Sequence, residues 1–427
     1  MTDAPFRWQS MALPAFLPTL LFSIGEGAII PMIPIVANNL GATLAIAGFI
    51  LAMIMVGELI GDIPSGWLIS RIGERTAMIG AAFVAIGGLV IATVAPNPLM
   101  LGVGIFVVGI ATAVFALARH AFMTTYVPLP YRARALSSLG GTFRLGFFIG
   151  PFIAAAVIHV TGSTSAVFFI HIVGCLGAAV VLLLLRDPSA TFGAVRGRRT
   201  GSGTRSGSGS ADHHALTEGE ALVAGESIGL FRTIWSNRGV LGKLGTGAAL
   251  VGATRASRAV ILPLWAVSIG IGDTNTALII GIAGGIDFAL FYASGQIMDR
   301  FGRLWSAMPS MVGLGGGLIA LAFSHDVANS VLWFIVIAMF LSLANGIGSG
   351  ILMTLGADLA DKANPAPFLG AWRFTSDFGS AGAPLLVAAV TATASIAVAT
   401  GIMGVLGLVG AAILLRYVPT YAPRKPR

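Results

Sequence analysis

Apolar residues fill twelve stretches of the chain, each long enough for a helix that crosses a membrane. Such a helix needs about 20 mostly apolar residues, because the hydrocarbon core is about 30 Å thick and each helical residue adds about 1.5 Å. The pattern therefore predicts an all-α membrane protein with twelve transmembrane helices. The predicted spans 1 to 12 cover, in order, residues 11–37, 44–69, 76–94, 98–124, 134–160, 164–185, 241–268, 275–298, 304–323, 328–355, 366–391 and 393–416.

The overall composition supports this class. Of the 427 residues, 56% are hydrophobic and 10% are charged, whereas soluble domains carry about 25% charged residues. The first apolar stretch is too long for a cleaved signal peptide and continues into Pro31-Met-Ile-Pro34, so we expect it to remain as span 1. Cys175 is the single cysteine in the sequence, which excludes an intramolecular disulfide and a cysteine metal cluster.

Basic residues outside the spans all fall on one side of the predicted membrane. By the positive-inside rule, this distribution places both termini in the cytoplasm and predicts a multi-pass protein of the cell inner (plasma) membrane. The net charge of +8 then reflects topology, and no nucleic-acid partner is expected. Besides the arginines of the central loop, the residues concerned are Arg7, Arg71, Arg75, Arg132, Arg134, Arg300, Arg303, Lys362, Arg416, Arg424, Lys425 and Arg427.

The chain repeats itself at an offset of about 229 residues. The segment Gly66-Trp-Leu-Ile-Ser-Arg-Ile-Gly73 returns as Gly295-Gln-Ile-Met-Asp-Arg-Phe-Gly302. We therefore predict two fused, pseudo-symmetric six-helix bundles at residues 1–186 and 239–427, an arrangement typical of transporters. The same offset relates Pro34 to Pro263, Gly41 to Gly270, Glu58 to Asp287 and Arg144 to Arg373.

A hydrophilic segment, residues 187–238, joins the predicted halves on the cytoplasmic side. Its middle, Arg196 to Ser210, has the Gly, Ser and Arg composition of a flexible linker. We interpret His213-His214 as a solvated pair in this linker rather than a metal site. Residues 228–235 predict a short amphipathic helix on the inner leaflet.

Charged residues inside the spans are the candidate functional groups, because each is costly at membrane depth and is normally retained for function or paired. Their signs balance, which favours internal salt bridges and argues against a cavity for a strongly charged substrate. Arg373 and Asp377 lie four residues apart and predict a local ion pair. The acidic residues are Glu26, Glu58, Asp62, Asp287 and Asp377, and the basic residues are Arg119, Arg144, Arg255, Arg258 and Arg373.

Glu26 is the leading candidate for proton coupling. It has no basic residue three or four positions away, and the repeat sets it opposite Arg255 in the other half. A carboxyl group without a fixed partner can take up and release a proton as access alternates between the two sides. Glu58 and Asp287 are the other candidates for this role. The residues assigned to the substrate cavity are Arg119, Arg144, Arg255, Arg258, Asn345, Arg373 and Asp377.

The two repeated loops predict a cytoplasmic gate. A glycine at the end of a span lets the next helix approach, and the Asp-Arg-x-Gly-Arg turn places charges at helix ends. We expect Asp358 to pair with Arg300 or Arg303, and Asp62 to pair with Arg71. The alternative is that these residues only set topology and helix-end stability. The predicted gate comprises Asp62, Gly66, Arg71, Gly73, Gly295, Asp299, Arg300, Gly302, Arg303 and Asp358.

These loops carry a resemblance to a known family. The run from Gly295 through Asp299-Arg300 to Gly302-Arg303 resembles the signature loop of the major facilitator superfamily, and residues 66–75 resemble its counterpart, with Ser70 and Glu74 as departures. Span 1, with Gly25-Glu26 and Pro31-x2-Pro34, is similar to the first helix of twelve-span drug and proton antiporters. Span 5, with Gly146-x3-Gly150-Pro151, resembles the motif associated with exporters in that group.

The resemblance implies a fold and a function. The fold would place spans 1, 4, 7 and 10, with 2, 5, 8 and 11, around a central cavity. The function would be proton-coupled efflux of small amphiphilic compounds, with the substrate, protons and the lipid bilayer as partners of a monomer. Alternatives are proton-coupled transport of a sugar or an organic acid, and a lipid-handling or receptor-like protein without turnover. No phosphate loop, zinc-binding His pair or serine elbow points to an enzyme, and no cofactor or metal is expected.

Overall fold

The computed structural model describes residues 16–127, 129–184, 230–360 and 366–421, and the regular elements within these ranges are helices. Twelve helical segments follow the predicted order. Span 1 consists of Leu17–Ile29, a 3-10 turn at Ile30–Met32 and Ile33–Asn39. The other spans are Leu44–Ile72, Glu74–Thr93, Pro98–Tyr126, Leu129–Thr161, Val167–Leu184, Thr246–Ser268, Asp273–Phe301, Leu304–Ala322, Ser330–Ile347 continued by Ile351–Leu359, Ala366–Thr393 and Ile396–Tyr421.

Eleven of these segments are long and apolar enough to cross a membrane, which makes the chain a multi-pass membrane protein. Span 11, Ala366–Thr393, is the long described helix outside that set, and its 28 residues suffice for a crossing at about 1.5 Å per residue. It is more polar because it carries Arg373 and Asp377, which form an ion pair along the helix. Polar groups in such a helix face the protein interior rather than lipid.

Local signals explain where the spans begin and end. Span 2 starts after Thr43, whose side chain accepts a hydrogen bond from the Ile46 amide at 3.3 Å. It ends at Gly73, with φ 83° and ψ 156°. Span 8 ends in the same way at Gly302, with φ 101° and ψ 167°. Since only glycine adopts this region readily, the two signature loops require glycine at these positions.

The packing of the spans repeats between the two halves. Span 1 packs on spans 5 and 6, and span 7 packs on spans 11 and 12. Spans 2 and 3 pack on span 4, as spans 8 and 9 do on span 10. Span 2, Leu44–Ile72, and span 8, Asp273–Phe301, begin and end at residues 229 positions apart. The prediction of two pseudo-symmetric six-helix bundles in an all-α membrane protein is therefore confirmed.

The two halves meet along two equivalent seams: span 2 packs on span 11, and span 5 packs on span 8. We call the side that carries the loops after spans 2 and 8 the loop side, and the other the far side. On the far side, the Ile33–Asn39 segment of span 1 packs against span 7. There the Thr164 hydroxyl also donates a hydrogen bond to Asp273 across the halves. The two halves are therefore in contact on the far side.

Two spans are interrupted, and both interruptions lie beside candidate residues. In span 1, the Ile30–Met32 turn contains Pro31, which lacks the amide that a regular helix would use. Span 10 breaks between Ile347 and Ile351, where Gly350 has φ 80°. A broken helix leaves backbone carbonyls free for other donors.

Some predictions concern residues or side chains outside the described part of the chain. These are the flexible linker, the His213-His214 pair, both chain ends, Lys362 and the side chains of Arg132 and Arg134. A helix at Leu230–Ser236 overlaps the predicted amphipathic segment, residues 228–235. It leads through Arg238–Val240 and a π-helical turn at Leu241–Gly245 into span 7.

Candidate functional site

The charged residues of the spans form two separate groups. We call Glu26, Glu58, Asp62, Arg119, Arg373 and Asp377 the acidic cluster, since four carboxyl groups face two arginines. We call Arg144, Arg255, Arg258 and Asp287 the basic cluster, since three arginines face one carboxyl group. The charged partners that act on Glu26, Glu58 and Asp377 lie in the acidic cluster, and those that act on Arg144 and Arg255 lie in the basic cluster. The balanced charges of the sequence are therefore segregated in space.

A cavity of about 180 Å³ lies within the acidic cluster, between the two halves. Glu58 and Asp62 from span 2 line it, with Thr112 from span 4 and with Arg373 and Asp377 from span 11. The volume holds a few water molecules or a small polar group, at about 30 Å³ per water. Four ionisable side chains, Glu58, Asp62, Arg373 and Asp377, meet in this cavity.

Asp62 and Arg373 form an ion pair across one seam. The Arg373 guanidinium donates to Asp62 Oδ1 at 2.6 Å, and its Nε lies 3.4 Å from Asp377 Oδ2. The predicted Arg373–Asp377 pair is therefore present. The predicted Asp62–Arg71 pair is wrong, because nine helical residues separate these side chains by roughly 13 Å along span 2. Arg71 instead lies over the Trp67 ring, 5.3 Å from its centre.

Glu26 lies apart from these ion pairs. Its side chain is 2% exposed, and Oε2 is buried without a hydrogen-bond partner among the described residues. It interacts electrostatically with Arg119 and Glu58. Spans 1 and 4 meet where Phe22 and Phe115 stack with centroids 4.2 Å apart, one turn from Glu26 and Arg119 respectively.

Glycine sets the position of Glu26 in the helix bundle. A Cβ at Gly150 of span 5 would collide with the span 1 backbone at Ile24 and Gly27. The Gly146-x3-Gly150 motif therefore allows spans 1 and 5 to approach closely, as small residues do in membrane helix pairs. This contact holds the segment that carries Glu26 against the rest of its half.

The basic cluster centres on Asp287 of span 8. Arg258 donates to Asp287 Oδ2 at 2.8 Å, and the Asn345 amide donates to both carboxylate oxygens at 2.9 and 2.7 Å. Arg258 also donates to the Ser342 hydroxyl at 2.6 Å. Of the three carboxyl groups predicted for proton coupling, Asp287 is thus held as a hydrogen-bonded ion pair.

Arg255 and Arg144 complete the basic cluster. Arg255 donates to the Gly348 carbonyl at 2.6 Å, at the break in span 10, while its Nε is buried without a partner. Arg144 lies over the Phe291 ring of span 8 at 4.9 Å. Arg255 interacts electrostatically with the other members of the basic cluster. Glu26 interacts with Arg119 of the acidic cluster. The expectation that these two face each other is therefore wrong.

The repeat relates the contacts as well as the residues. At equivalent positions, Arg373 meets Asp62 across one seam and Arg144 meets Phe291 across the other. Likewise, Glu26 interacts with Arg119 in the first half. At the equivalent positions of the second half, Arg255 donates to the Gly348 carbonyl. Both Arg144 and Arg373 therefore contact the opposite half.

The second signature loop is tied to its own half. Arg303 donates to Asp358 of span 10 at 2.8 and 3.2 Å and lies 3.6 Å from Asp299. The hydrogen bond to Asp358 raises the pKa of Arg303 above its usual value, so the guanidinium stays charged. The predicted Arg303–Asp358 pair is present, whereas Arg300 lies over the Phe301 ring. A pair within one half does not by itself bridge the halves.

The first signature loop is also anchored to its own half, but by different side chains. Glu74, at the position equivalent to Arg303, accepts a hydrogen bond from Thr125 of span 4 at 2.6 Å. Arg75 donates to the Leu182 carbonyl of span 6 at 2.8 Å. Sequence reasoning noted Glu74 as a departure but not as an anchor. Its register with Arg303 was the signal that could have revealed that role.

The glycines of the loops contribute unequally. Gly66 is buried in span 2. A Cβ at Gly295 of span 8 would meet nothing within 4 Å. Close helix approach therefore does not explain Gly295, whereas Gly73 and Gly302 are explained by their backbone conformation.

Comparison with known families gives one match along the chain. The sequence profile of the Major Facilitator Superfamily matches residues 15–383 and 244–427 in two overlapping alignments. Together they cover nearly the whole chain, including both clusters and both signature loops.

Curated relatives match about half of the chain. It is 27% identical over 194 residues to the uncharacterized MFS-type transporter YfkF of Bacillus subtilis, covering 44% of this chain and 49% of that protein. It is 22% identical to the galactose-proton symporter of Escherichia coli K12, covering 43% and 39%. It is 25% identical to Multidrug resistance protein 1 of Bacillus subtilis, covering 45% and 50%. The chain thus spans half the length of these relatives or less.

Solved structures share the fold over almost the full length. A POT family transporter in complex with a thioalcohol-conjugated peptide superposes with a TM-score of 0.75 at 15% identity, covering 97% of both chains. The xylose transporter XylE from E. coli, in a partially occluded inward-open conformation, gives a TM-score of 0.67 at 17% identity, covering 96% and 99%. At these identities the likeness concerns the fold.

Proposed function

The chain belongs to the Major Facilitator Superfamily, and we propose that it is a secondary transporter that couples movement of a small amphiphilic molecule to protons. The observation that carries this proposal is the acidic cluster, with the buried and unpartnered Glu26 oxygen at its edge. The acidic cluster lies between the two pseudo-symmetric halves, which can rock about it. Enzyme activity has no support from this family.

The seams between the halves supply the moving parts. The Ile33–Asn39 segment packs on span 7 at the far side, and the Asp62–Arg373 pair crosses nearer the loop side. Alternating access requires these two sets of contacts to break in turn. We place the loop side and both termini in the cytoplasm, in the cell inner membrane, from the basic residues of the loops. One copy of the chain contains both halves that alternating access requires, so we propose that the monomer is the transporting unit.

Protons have a physical role in the acidic cluster. Four carboxyl groups against Arg119 and Arg373 give a formal charge of −2 when all are ionised. Ionised groups at membrane depth are costly, and arginine does not lose its proton. Binding of protons to carboxyl groups is therefore the way this cluster loses charge when no cation is present. Glu26 and Glu58 suit this role better than Asp287, which is held by Arg258 and Asn345.

The relatives support two substrate classes. The similarity to a multidrug resistance protein supports proton-driven efflux of amphiphilic compounds, and the similarity to a galactose-proton symporter supports uptake of a metabolite. Cells that lack or overproduce the protein distinguish these directions, because export lowers accumulation of a compound and import raises it.

Proton coupling is tested in vesicles that contain the purified chain and a pH-sensitive dye. Under an imposed pH gradient, ethidium, benzoate and galactose are added in turn as probes, and leakage in protein-free vesicles is subtracted. We expect at least one probe to dissipate the gradient with the wild type, and Glu26→Gln to abolish that response.

The matched control is Asp326→Asn, which changes a 96% exposed carboxyl group on a far-side loop. It should respond as the wild type does. A wild-type response in Glu26→Gln would move proton coupling to Glu58. Absence of any proton movement in cells and vesicles would reject a coupled transporter.

A further inference from the structure

The basic cluster carries charge that the acidic cluster does not neutralise. Arg144, Arg255 and Arg258 contribute three positive charges against the one negative charge of Asp287, a formal charge of +2. The electrostatic partners of Arg144 and Arg255 lie within the basic cluster. A surplus of carboxyl groups is relieved by protons, but arginine stays charged at every physiological pH. An anion is therefore the species that can relieve the basic cluster.

Asp287 does not neutralise the charges of Arg144 and Arg255, because it is already hydrogen-bonded to other residues. Its Oδ2 accepts from Arg258 and Asn345, and its Oδ1 accepts from Asn345. Within the described residues, Arg144 and Arg255 form no ion pair with it. The hydrogen bond from Arg255 to the Gly348 carbonyl satisfies a donor but adds no opposite charge. The Phe291 ring under Arg144 offers a weaker, quadrupolar attraction.

Donors remain available in this cluster. Arg255 Nε and Arg258 Nε are buried and have no hydrogen-bond partner among the described residues. Guanidinium groups bind carboxylates in a bidentate manner, with two parallel N–H donors. Both of these Nε donors belong to span 7. Arg255 also interacts electrostatically with Arg144 of span 5, so a carboxylate held by Arg255 would meet a positive charge from the other half as well.

Aromatic side chains lie next to these arginines. Phe147 lies one helical turn from Arg144 on span 5 and contacts Phe143, whose ring lies under Arg119 of the acidic cluster. Phe288 and Phe291 flank Asp287 on span 8, and Phe288 stacks with Phe148 across the seam. All are partly rather than fully buried. They give an apolar surface for the body of a ligand whose charged end meets the arginines.

We propose that the basic cluster binds the carboxylate of a small organic anion, with Arg255 and Arg144 as its charged ligands and the phenylalanines of spans 5 and 8 around its apolar body. This inference deepens the proposed function by naming its substrate class, and rests on it for transport. It reverses the expectation from the sequence that balanced charges exclude a charged substrate. The charges balance along the chain but not within either cluster.

Binding is measured on the purified full chain in detergent, without any pH gradient, so that its outcome is independent of proton coupling. Benzoate is the probe, benzamide is its neutral isostere, and benzylammonium is the cation of similar size. The dissociation constant is obtained from the ligand-dependent rise in melting temperature. We expect saturable stabilisation by benzoate and at least tenfold weaker binding of the other two.

Variants assign the effect to the cluster. Arg255→Gln and Arg144→Gln should each raise the dissociation constant for benzoate at least tenfold. Neither residue pairs with Asp287, so both variants should fold, and either one suffices if the other does not. Arg416→Gln, a change of an exposed arginine, is the control and should bind as the wild type does.

The proposal is overturned if benzamide or benzylammonium binds as tightly as benzoate, if both cluster variants keep the wild-type constant, or if benzoate does not bind. Binding of benzoate without proton movement in vesicles would retain the anion site and reject the proposed coupling. Proton movement with another probe, without binding of benzoate, would retain the proposed coupling and reject the anion site.

Discussion

Glu26 and Asp287 are both buried carboxyl groups, yet their surroundings differ in a way that separates their roles. Asp287 accepts from Arg258 at 2.8 Å and from Asn345, whereas Glu26 Oε2 has no hydrogen-bond partner in the described structure. Removing one partner of a buried ion pair leaves the other charge unmatched, which costs about 3–5 kcal/mol. Glu26 also interacts with Arg119, but burial is the larger effect on its charge, so removing that charge removes more desolvation cost than attraction.

We therefore predict opposite effects on stability. Asp287→Asn should lower the free energy of unfolding by about 3–5 kcal/mol, because Arg258 loses its counter-charge. Glu26→Gln should leave it unchanged or raise it. Denaturant unfolding in mixed micelles measures both, with Asp326→Asn as the surface control. Equal losses in the two variants would contradict the different pairing of these carboxyl groups.

The signature loops show how an element can keep its geometry while its chemistry changes. Gly73 and Gly302 end spans 2 and 8 with nearly the same φ and ψ. The next residue anchors each loop to span 4 or 10 of its own half, through Glu74 to Thr125 or through Arg303 to Asp358. The backbone turn is fixed by glycine, while the anchoring side chains tolerate a reversal of charge.

At this scale we predict a contrast between two glycines of one motif. Gly302→Ala should cost about 1–3 kcal/mol, because φ 101° with ψ 167° is strained for any residue with a Cβ. Gly295→Ala should be neutral or stabilise by up to about 1 kcal/mol, since it lies in a helix with open space around its Cβ. Thermal unfolding of both purified variants checks this. A larger loss for Gly295→Ala would contradict the assigned conformations.

The whole molecule is symmetric in its contacts but not in their strength. Across one seam Arg373 meets the Asp62 carboxylate at 2.6 Å, and across the other Arg144 meets the Phe291 ring. The Asp62 and Arg373 side chains are 21% and 40% exposed, so their pair contributes about 1 kcal/mol or less. Even 1 kcal/mol changes a conformational ratio about fivefold, so the seams need not open with equal ease.

We predict that the Asp62–Arg373 pair biases the conformational equilibrium toward closure of the loop side. Asp62→Asn should shift the distribution of distances between spin labels at Ser70→Cys and Asp299→Cys to longer values, in a Cys175→Ser background. Phe291→Asp should shift it to shorter values, because it gives Arg144 an ion pair at the equivalent seam. Identical distributions in all three proteins would show that neither contact controls opening.

The twelve helices, the two halves and the charged residues within the spans are predictable from the amino-acid sequence alone. These follow from the length of apolar runs, from the cost of charge in a bilayer and from the 229-residue register. The Arg373–Asp377 pair also followed, because both residues lie on one helical face. The sequence placed Asp358 near the second signature loop but left Arg300 and Arg303 as alternative partners, and the structure pairs it with Arg303.

The distribution of these charged residues between the acidic and the basic cluster depends on tertiary packing. The Asp62–Arg373 pair joins residues 311 positions apart, and no local spacing encodes which of several buried partners a carboxyl group meets. The Gly348 carbonyl at the break in span 10 likewise accepts from Arg255, which lies 93 positions away in span 7. Helix formation is local, whereas pairing of buried charges depends on which helix faces are brought together, and that assembly set the acidic and basic clusters apart.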